Sequence, residues 1–279
     1  MSAFGLDAIA KKASEVIKIV DGDYIGEDGL YYCGKCHTPK QHRDNYFRIG
    51  NVVMCLCKCG KEEREREEQA KKQEEQKDLI KKYRTIGFPE KERENMETWR
   101  FENDDGSNPK LMQALQRYAE KFSNKSKWLL LFGDVGRGKT YAACCVANAL
   151  IDKGIPCLVT NFSRIEKTVF GMREGKQEYF DSLNKFPLLI VDDLGAERKS
   201  EYMSQVVYDV IDARERAGLP MIITTNLTKE EMEDPADMQY KRIFSRVWGN
   251  CIPIRVEGKD RRKQKLISSY DEMMKELGL

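Results

Sequence analysis

The feature that most constrains this chain is a glycine-rich turn set between an apolar stretch and a helical one. Residues 128–132 read WLLLF, and residues 133–140 read GDVGRGKT. A G-x-x-x-x-G-K-T turn in this position lets backbone N–H groups and the start of a helix surround an anion. The sequence therefore predicts an α/β protein that binds a nucleoside triphosphate, with ATP as the expected nucleotide.

Individual residues of this turn have expected tasks. We expect the Lys139 ammonium to contact the β and γ phosphates and the Thr140 hydroxyl to ligate Mg²⁺. The glycines allow the backbone to turn tightly and to approach the phosphates closely. The full set of predicted nucleotide-binding residues is Gly133, Val135, Gly136, Arg137, Gly138, Lys139, Thr140, Tyr141 and Asp192.

A second apolar run, LLIV at residues 188–191, ends in two carboxylates, Asp192 and Asp193. In a parallel sheet the carboxyl ends of the strands lie at one edge, so these acids should meet the phosphate-binding turn. We expect Asp192 to hold Mg²⁺ and Asp193 to orient or deprotonate the attacking water. Glu197 is a third carboxylate nearby that can share this role. The alternative is a strand end with solvated acids in a turn.

Polar and basic residues further along the chain extend the predicted catalytic set. Residues 221–226 read MIITTN, which predicts a strand that ends in Thr225 and Asn226. Either residue can contact the γ-phosphate or the water, or serve as a helix N-cap. Arg242 and Arg246 are four residues apart on one helix face. An arginine there can reach a neighbouring subunit's phosphate or form surface salt bridges.

Composition divides the chain into three predicted parts. Residues 1–60 hold a cysteine cluster, residues 61–87 form a charged linker helix, and residues 88–279 form the nucleotide-binding domain. The linker carries opposite charges four residues apart, which supports a solvated helix. In the third part, apolar strands alternate with helices. This alternation predicts a mostly parallel sheet with helices on both faces.

The overall charge and hydropathy exclude some classes of protein. Apolar residues make up 41% and charged residues 34% of the chain, and the net charge is only +2. Any basic surface for nucleic acid must therefore be local. No run of 18 or more apolar residues occurs, and residues 1–20 predict a short amphipathic helix rather than a signal peptide. We therefore expect a cytoplasmic protein with no membrane span.

The cysteines predict a metal site. Five of the nine lie close together, as Cys33, Cys36, Cys55, Cys57 and Cys59. Two sets of paired thiols at this separation suit one structural, tetrahedral Zn²⁺. Five thiols compete for four positions, and redox chemistry at the C-x-x-C or unligated thiols are the alternatives. The other cysteines are expected to be small core residues.

Together these segments resemble the AAA+ ATPases of the DnaC type, which are bacterial and phage helicase loaders. Transposition ATPases of the IstB type share the same core. The resemblance covers residues 88–266 and the cysteine module. Its most specific segment is DDLGAE at residues 192–197, since many AAA+ proteins carry Asp-Glu where this chain has Asp-Asp.

The resemblance implies roles for several residues. Asn226 matches the first sensor, Arg246 the arginine finger that acts on the adjacent subunit, and Arg262 the second sensor. Asp193 replaces a longer Glu, which leaves open whether Asp193 or Glu197 positions the water and suggests slow hydrolysis. The chain ends 17 residues after Arg262, so we expect the AAA+ domain to lack a C-terminal lid, as in the loader group.

The resemblance also implies contacts outside the nucleotide site. Residues 161–176 match a helical segment that contacts single-stranded DNA. The alternative there is an amphipathic helix with Ile165, Val169 and Phe170 in the core. For zinc, the resemblance favours four of the five clustered thiols, with Cys55 or His37 as substitutes. The predicted DNA contacts are Phe162, Arg164, Lys167 and Arg173, and the predicted zinc ligands are Cys33, Cys36, Cys57 and Cys59.

These features predict an ATP-dependent loader of a hexameric replicative helicase. In the loaders the N-terminal region grips the helicase, while the AAA+ core binds single-stranded DNA and associates with further copies of itself. Two alternatives stay open. One is an IstB-type transposition ATPase on duplex DNA, and the other is a nucleotide-gated adaptor that hydrolyses ATP negligibly.

Overall fold

The structure is a computed structural model. The predicted N-terminal helix and Arg262 lie outside the residues that it describes, which are 19–43, 52–197, 200–258, Asp260, Arg261, Lys263, Tyr270, Met273, Met274 and Leu277. The chain divides into two compact units, residues 1–77 and 78–279. This division falls inside the predicted linker of residues 61–87.

The first unit contains two short antiparallel strand pairs. β1 (Tyr24–Ile25) pairs with β2 (Tyr31–Tyr32), and β3 (Gln41–Arg43) pairs with β4 (Val52–Met54). Among the described residues of this unit, the buried apolar side chains are Leu30, Cys33 and Cys57. The described part of the unit therefore buries few apolar side chains, and a core of that size supplies little folding free energy.

The long helix α1 (Lys58–Gly87) begins directly after Cys57, earlier than the predicted linker. Its side chains are exposed along most of its length, and the buried residue at its end is Gly87. An ion pair four residues apart joins Arg64 to Glu68, with Nε and Oε1 separated by 3.4 Å. Most of the helix therefore depends on charge patterning and helix propensity, while Ile80 and Tyr83 near its C-terminal end pack against the apolar core of the second unit.

The second unit alternates helices and strands. Nowhere in the described part of the chain does a helix combine the length and the apolar character needed to cross a bilayer. Its elements in chain order are α2 (Arg93–Thr98), α3 (Pro109–Glu120), β5 (Trp128–Phe132), α4 (Lys139–Asp152), β6 (Cys157–Asn161), α5 (Phe162–Val169), α6 (Lys176–Leu183), β7 (Leu188–Leu194), α7 (Glu201–Ala217), β8 (Met221–Thr225), α8 (Lys229–Glu233), α9 (Met238–Asn250) and β9 (Cys251–Arg255). A 3₁₀ turn at Phe101–Asn103 lies between α2 and α3.

The five strands β5 to β9 form one parallel sheet in the order β6-β7-β8-β5-β9. Apolar clusters cover both of its faces. One cluster includes Leu129 and Leu131 of β5, and the other includes Leu130 from the same strand. Successive side chains of a strand point to opposite faces, so a strand buried on both sides must be apolar throughout. The predicted fold, a parallel sheet with helices on both faces, is confirmed.

Some element boundaries differ from the prediction. The helical segment expected within residues 161–176 is interrupted: its first helix ends at Val169, and Gly171 and Gly175 have φ angles of 79° and 82°, outside the helical region. β7 continues past its apolar run to Leu194, and its pairing with β8 shifts register between Val191 and Leu194. This shift marks a bulge that contains both predicted carboxylates.

A buried arginine ties together loops at the amino edge of the sheet. Arg214 of α7 is 0% exposed. Its guanidinium donates to the carbonyl oxygens of Phe186, Pro187 and Pro220 at 2.9, 2.9 and 2.5 Å. Burial lowers its pKa to about 10. Because a planar guanidinium has five donors, one side chain can bind several carbonyl oxygens of these loops at once.

Candidate nucleotide, metal and DNA sites

The loop between β5 and α4 leaves the start of α4 open to a ligand. Gly138, the residue before the helix, has φ = 88°, and no side chain caps the first backbone N–H groups of α4. Gly136 has φ = 80°, and a Cβ there would lie 2.1 Å from Oδ1 of Asp260. Both positions therefore require glycine. The uncapped N–H groups at this helix end favour an anion.

A cavity of about 320 Å³ lies against this loop. Lys139, Thr140, Asp193 and Asn226, which the sequence assigns to one site, lie together in its wall. Of the other predicted nucleotide-binding and catalytic residues that the structure describes, those that do not line it include Gly133, Arg137, Asp192, Glu197 and Arg246. The complete lining is Trp99, Val135, Gly136, Gly138, Lys139, Thr140, Tyr141, Asp193, Asn226 and Arg261.

Trp99 and Arg261 are lining residues that the sequence analysis missed. The rings of Trp99 and Tyr141 are 5.9 Å apart between centroids. The Arg261 guanidinium lies 5.0 Å from the centroid of the Tyr141 ring and also pairs with Asp104 at 3.0 Å. Aromatic and cationic side chains side by side suit a base or ribose-phosphate group. Both residues are distant from the loop in sequence, and no local pattern marks them.

Lys139 is 5% exposed, and its ammonium group points along the loop. Nζ donates to the carbonyl oxygens of Gly133 and Asp134, each at 2.8 Å, and to Oδ1 of Asn226 at 2.6 Å. The charge is thus held at the cavity wall, between β5 and β8. A buried cation in this position can bind phosphate oxygens by charge-assisted hydrogen bonds.

Asp192 lies beside the first turn of α4. Its Oδ1 accepts hydrogen bonds from the hydroxyls of Thr140 at 2.8 Å and Thr224 at 2.6 Å. Burial raises the pKa of Asp192, while these two hydroxyls act in the opposite direction. A carboxylate and a hydroxyl in contact are hard oxygen ligands, and they fit the Mg²⁺ that accompanies a triphosphate.

Asp193 turns in a different direction from Asp192. Its φ angle is 56°, a left-handed conformation that Asp tolerates better than most residues. Its backbone N–H donates to Oγ1 of Thr224 at 2.9 Å, and its Oδ1 accepts from Nδ2 of Asn226 at 3.0 Å. Since the Asn226 amide also bonds Lys139, one side chain bridges the cation and the carboxylate. Asp193 is the carboxylate that faces the cavity.

Glu197 is placed differently from the sequence expectation. It is 7% exposed. Oε2 accepts from the Gly195 backbone N–H at 2.8 Å, and Oε1 accepts from the Tyr240 hydroxyl at 2.5 Å. Burial and the bond to Glu197 raise the pKa of Tyr240. Both Glu197 oxygens are engaged away from the cavity, whereas the Asp193 carboxylate faces it, so Asp193 is the better placed of the two to meet a water in the cavity.

The arginines of α9 differ in their surroundings. Arg246 donates to Tyr208 Oη at 2.8 Å and pairs with Asp212 of α7 at 2.9 Å; it also contacts Glu215. Arg242 is exposed and lines the adjoining surface cavity with Arg246. The surface ion pairing that the sequence offered as an alternative therefore occurs at Arg246 within its own subunit.

Four cysteine thiols converge in the first unit. The sulfurs of Cys33, Cys36, Cys57 and Cys59 all lie within 4.8 Å of one another. Tetrahedral zinc with bonds of about 2.3 Å places its sulfurs about 3.8 Å apart, so this spacing fits the ion. Cys55 instead points its thiol at the carbonyl oxygen of Pro39, 3.6 Å away. The substitute His37 contacts the Tyr24 hydroxyl at 3.3 Å.

The protonation of these thiols also suits a cation. The Cys59 backbone N–H, together with the Thr38 hydroxyl, lowers the pKa of Cys36 to about 5. Hydrogen bonding with the thiols of Cys57, Cys36 and Cys33 raises the pKa of Cys59 to about 12. Four thiolates packed this closely would repel one another, and a divalent metal among them would offset that repulsion.

The predicted DNA segment divides into buried and exposed residues. Phe162 is 1% exposed, within the core between α5 and the sheet, so it cannot stack on a base. Arg164 pairs with Glu92 at 2.6 Å. Lys167 and Arg173 are exposed. Phe170, which the alternative interpretation placed in the core, is 73% exposed. Phe170 is therefore the exposed aromatic residue of this segment.

The fold and the loop define a P-loop nucleotide-binding protein of the AAA+ type. A TM-score of 0.50 relates it to the crystal structure of a DNA replication initiation factor, at 17% identity over 65% of this chain and 56% of that one; this likeness concerns the fold alone. The chain belongs to the family of IstB-like ATP binding proteins, which matches residues 64–269.

Two curated relatives show what the chain is similar to. The replicative helicase loader DnaI of Bacillus subtilis (strain 168) is 23% identical over 179 residues, which are 58% of each protein. A putative insertion sequence ATP-binding protein of Sinorhizobium fredii is 37% identical over 101 residues, 35% of this chain and 33% of that protein. The chain thus spans less than two thirds of the length of either relative.

The different positions of Lys139 and Arg137 lead to a prediction about ATP binding. Lys139→Ala should weaken ATP binding at least about 100-fold, because it removes a buried cation from the cavity wall. Arg137→Ala is the matched control. Its guanidinium pairs with the exposed Asp134 at 3.0 Å, so its loss should change the Kd less than about threefold. A fluorescent-nucleotide titration measures both. A Kd for Lys139→Ala within about threefold of the wild-type value would contradict the site assignment.

Proposed function

We propose that this chain is an ATP-dependent loader of a replicative helicase. It binds the helicase hexamer through its N-terminal unit and single-stranded DNA through its AAA+ core, in the cytoplasm where the chromosome lies. The observation that carries the proposal is the four-thiol unit that precedes the nucleotide domain. Similarity to a helicase loader over 179 residues supports it.

The nucleotide chemistry follows from the cavity. Lys139 binds the β and γ phosphates, and Mg²⁺ held by Thr140 and Asp192 would neutralise part of their charge. Asp193 orients the attacking water and accepts its proton, while Asn226 keeps the Asp193 carboxylate in place. The Asp193 side chain is short and tethered, so its reach toward the water is limited. This geometry favours slow hydrolysis. A slow rate suits a nucleotide-dependent switch better than continuous ATP-driven movement.

Completion of the site by a second copy is part of the proposal. By resemblance, Arg246 is the finger that stabilises charge on the γ-phosphate of an adjacent subunit, and Arg262 is the second sensor. Arg246 is bound to Asp212 and Glu215 of its own chain. Self-association would therefore exchange these partners for the neighbour's phosphate.

The loader proposal can be tested directly. The full chain, ATP and the hexameric replicative helicase of the same cell are mixed with circular single-stranded DNA, and the DNA-bound helicase is measured after gel filtration. We expect helicase retention to increase at least about tenfold over helicase alone, with Lys139→Ala as the inactive control. If the chain binds no helicase but assembles on duplex DNA with ATP, the transposition alternative that the Sinorhizobium relative supports would replace the proposal.

We also propose that Cys33, Cys36, Cys57 and Cys59 hold one structural zinc ion, which stabilises a unit with too small a core. Metal analysis of the full chain should find one zinc per molecule. Cys57→Ser should lose it, whereas the matched control Cys55→Ser should keep it, because the Cys55 thiol points at Pro39. Zinc loss in both variants, or none in either, would contradict the ligand set.

The DNA surface that we propose consists of Phe170, Lys167 and Arg173. Phe170→Ala should weaken binding of an oligo-dT strand about tenfold, because stacking on one aromatic ring contributes about 1–3 kcal/mol. Tyr270→Ala, which removes another exposed ring, is the control. Lys167→Ala should reduce the slope of log affinity against log salt by about 0.7. Fluorescence anisotropy measures all three, and unchanged affinity in Phe170→Ala would remove this surface.

A further inference from the structure

Among the described residues, a part-buried hydrogen bond links helix α9 to the loop that follows β7. The Tyr240 hydroxyl, on the first turns of α9, donates to Oε1 of Glu197 at 2.5 Å. Glu197 in turn accepts the Gly195 backbone N–H with its other oxygen. Arg246, six residues after Tyr240, lies on the part of α9 that contacts α7. The same helix therefore contacts the loop after β7 and carries the candidate finger.

The loop between Asp193 and Glu197 has little freedom to move independently. The Thr225 hydroxyl donates to the carbonyl oxygen of Leu194 at 2.6 Å. A Cβ added to Gly195 would lie 2.6 Å from Leu227, so the backbone is pressed against the segment that follows β8. A displacement of Asp193 or Asn226 at the cavity must therefore be passed on to Gly195 and the Glu197 carboxylate.

The environment of Glu197 argues against a purely local role. A carboxylate that is 7% exposed must have hydrogen-bond donors, and Glu197 has a backbone N–H and a phenol. The Glu197 carboxylate needs a hydrogen-bond donor, which the loop itself or a water molecule could supply. The donor here is instead a phenol from α9, which is distant in the chain. This bond gives the loop and α9 a direct contact through which a shift of one can reach the other.

We propose that Glu197 and Tyr240 are positioning residues that couple the nucleotide in one subunit to the placement of its own α9, and so of Arg246, against the next subunit. This inference rests on the proposed self-association. It replaces the direct catalytic role expected for Glu197. The nucleotide acts on Asp193 and Asn226, the loop after β7 transmits the change, and the Tyr240 hydroxyl passes it to α9.

Hydrogen exchange on the full chain, at a concentration where it is monomeric, tests the coupling separately from assembly. In the wild type, saturating ATP should slow amide exchange in α9 as well as in the loop of residues 133–140. In Tyr240→Phe, ATP should still protect residues 133–140, but protection of α9 should be lost. Tyr118→Phe is the matched control, because it also removes one tyrosine O–H···O bond, to the Lys127 carbonyl at 2.9 Å, at the opposite end of β5.

Turnover as a function of protein concentration gives a second readout. Tyr240→Phe should bind ATP with a Kd within about twofold of wild type, yet lose about fivefold or more of the turnover gained on assembly. Glu197→Gln should lose the same share of the turnover gained on assembly. The double variant should lose no more than either single variant, because both changes break the same hydrogen-bonded link. A direct catalytic role for Glu197 predicts instead that Glu197→Gln abolishes turnover while Tyr240→Phe preserves it.

The outcomes separate this inference from the proposed function. If ATP protects α9 equally in wild type and Tyr240→Phe, or if Tyr240→Phe lowers ATP binding and turnover at every concentration, the coupling is overturned. If wild-type turnover does not change with concentration, the proposed self-association fails, and the role assigned to Arg246 placement fails with it. In that case the exchange experiment still decides whether Tyr240 links the nucleotide to α9.

Discussion

The bulge in β7 determines how the nucleotide site is built. In a regular strand Asp192 and Asp193 would point to opposite faces of the sheet. The register shift before Leu194 and the positive φ of Asp193 instead bring both carboxylates to the edge that faces the loop. One buried hydroxyl holds this arrangement, since Thr224 donates to Asp192 and accepts from the Asp193 N–H. A left-handed Asp costs about 1–2 kcal/mol, and these bonds offset it.

Sequence patterns predict those parts of the molecule that depend on near neighbours in the chain. The phosphate-binding loop is of this kind, because its glycines, lysine and threonine act through one stretch of backbone. The parallel sheet follows from the alternation of apolar strands with helices. The four-thiol cluster is an intermediate case. The sequence supplies five thiols, and the hydrogen bond from the Cys55 N–H to the Lys40 carbonyl, 2.7 Å long, helps direct one of them away.

Other parts depend on tertiary contacts that no local pattern contains. Both Phe162 and Phe170 lie beside basic residues, and the choice between them depends on where α5 starts and ends. The Asn161 side chain caps the helix through the Arg164 N–H at 2.9 Å, which turns Phe162 into the core. In the same way, the Tyr240 partner of Glu197 lies on α9, and the partners of Arg246 lie on α7. For these residues the structure either changed the predicted role or showed partners that the sequence did not predict.

The intramolecular partners of Arg246 also bear on how a second copy could use it. An ion pair that is about one third exposed contributes on the order of 1 kcal/mol or less, because water screens it and the side chain loses entropy. The Arg246 side chain is 31% exposed, so its ion pairs with the acids of α7 fall in this weak range. A triphosphate carries several negative charges in a partly desolvated site, so it can compete with Asp212 and Glu215 for the guanidinium. The acids of α7 then hold Arg246 in a defined rotamer before assembly, which reduces the entropy lost when it transfers. This exchange of partners costs little free energy only if α9 is correctly placed. The Tyr240 hydroxyl is the contact through which the nucleotide site can influence that placement.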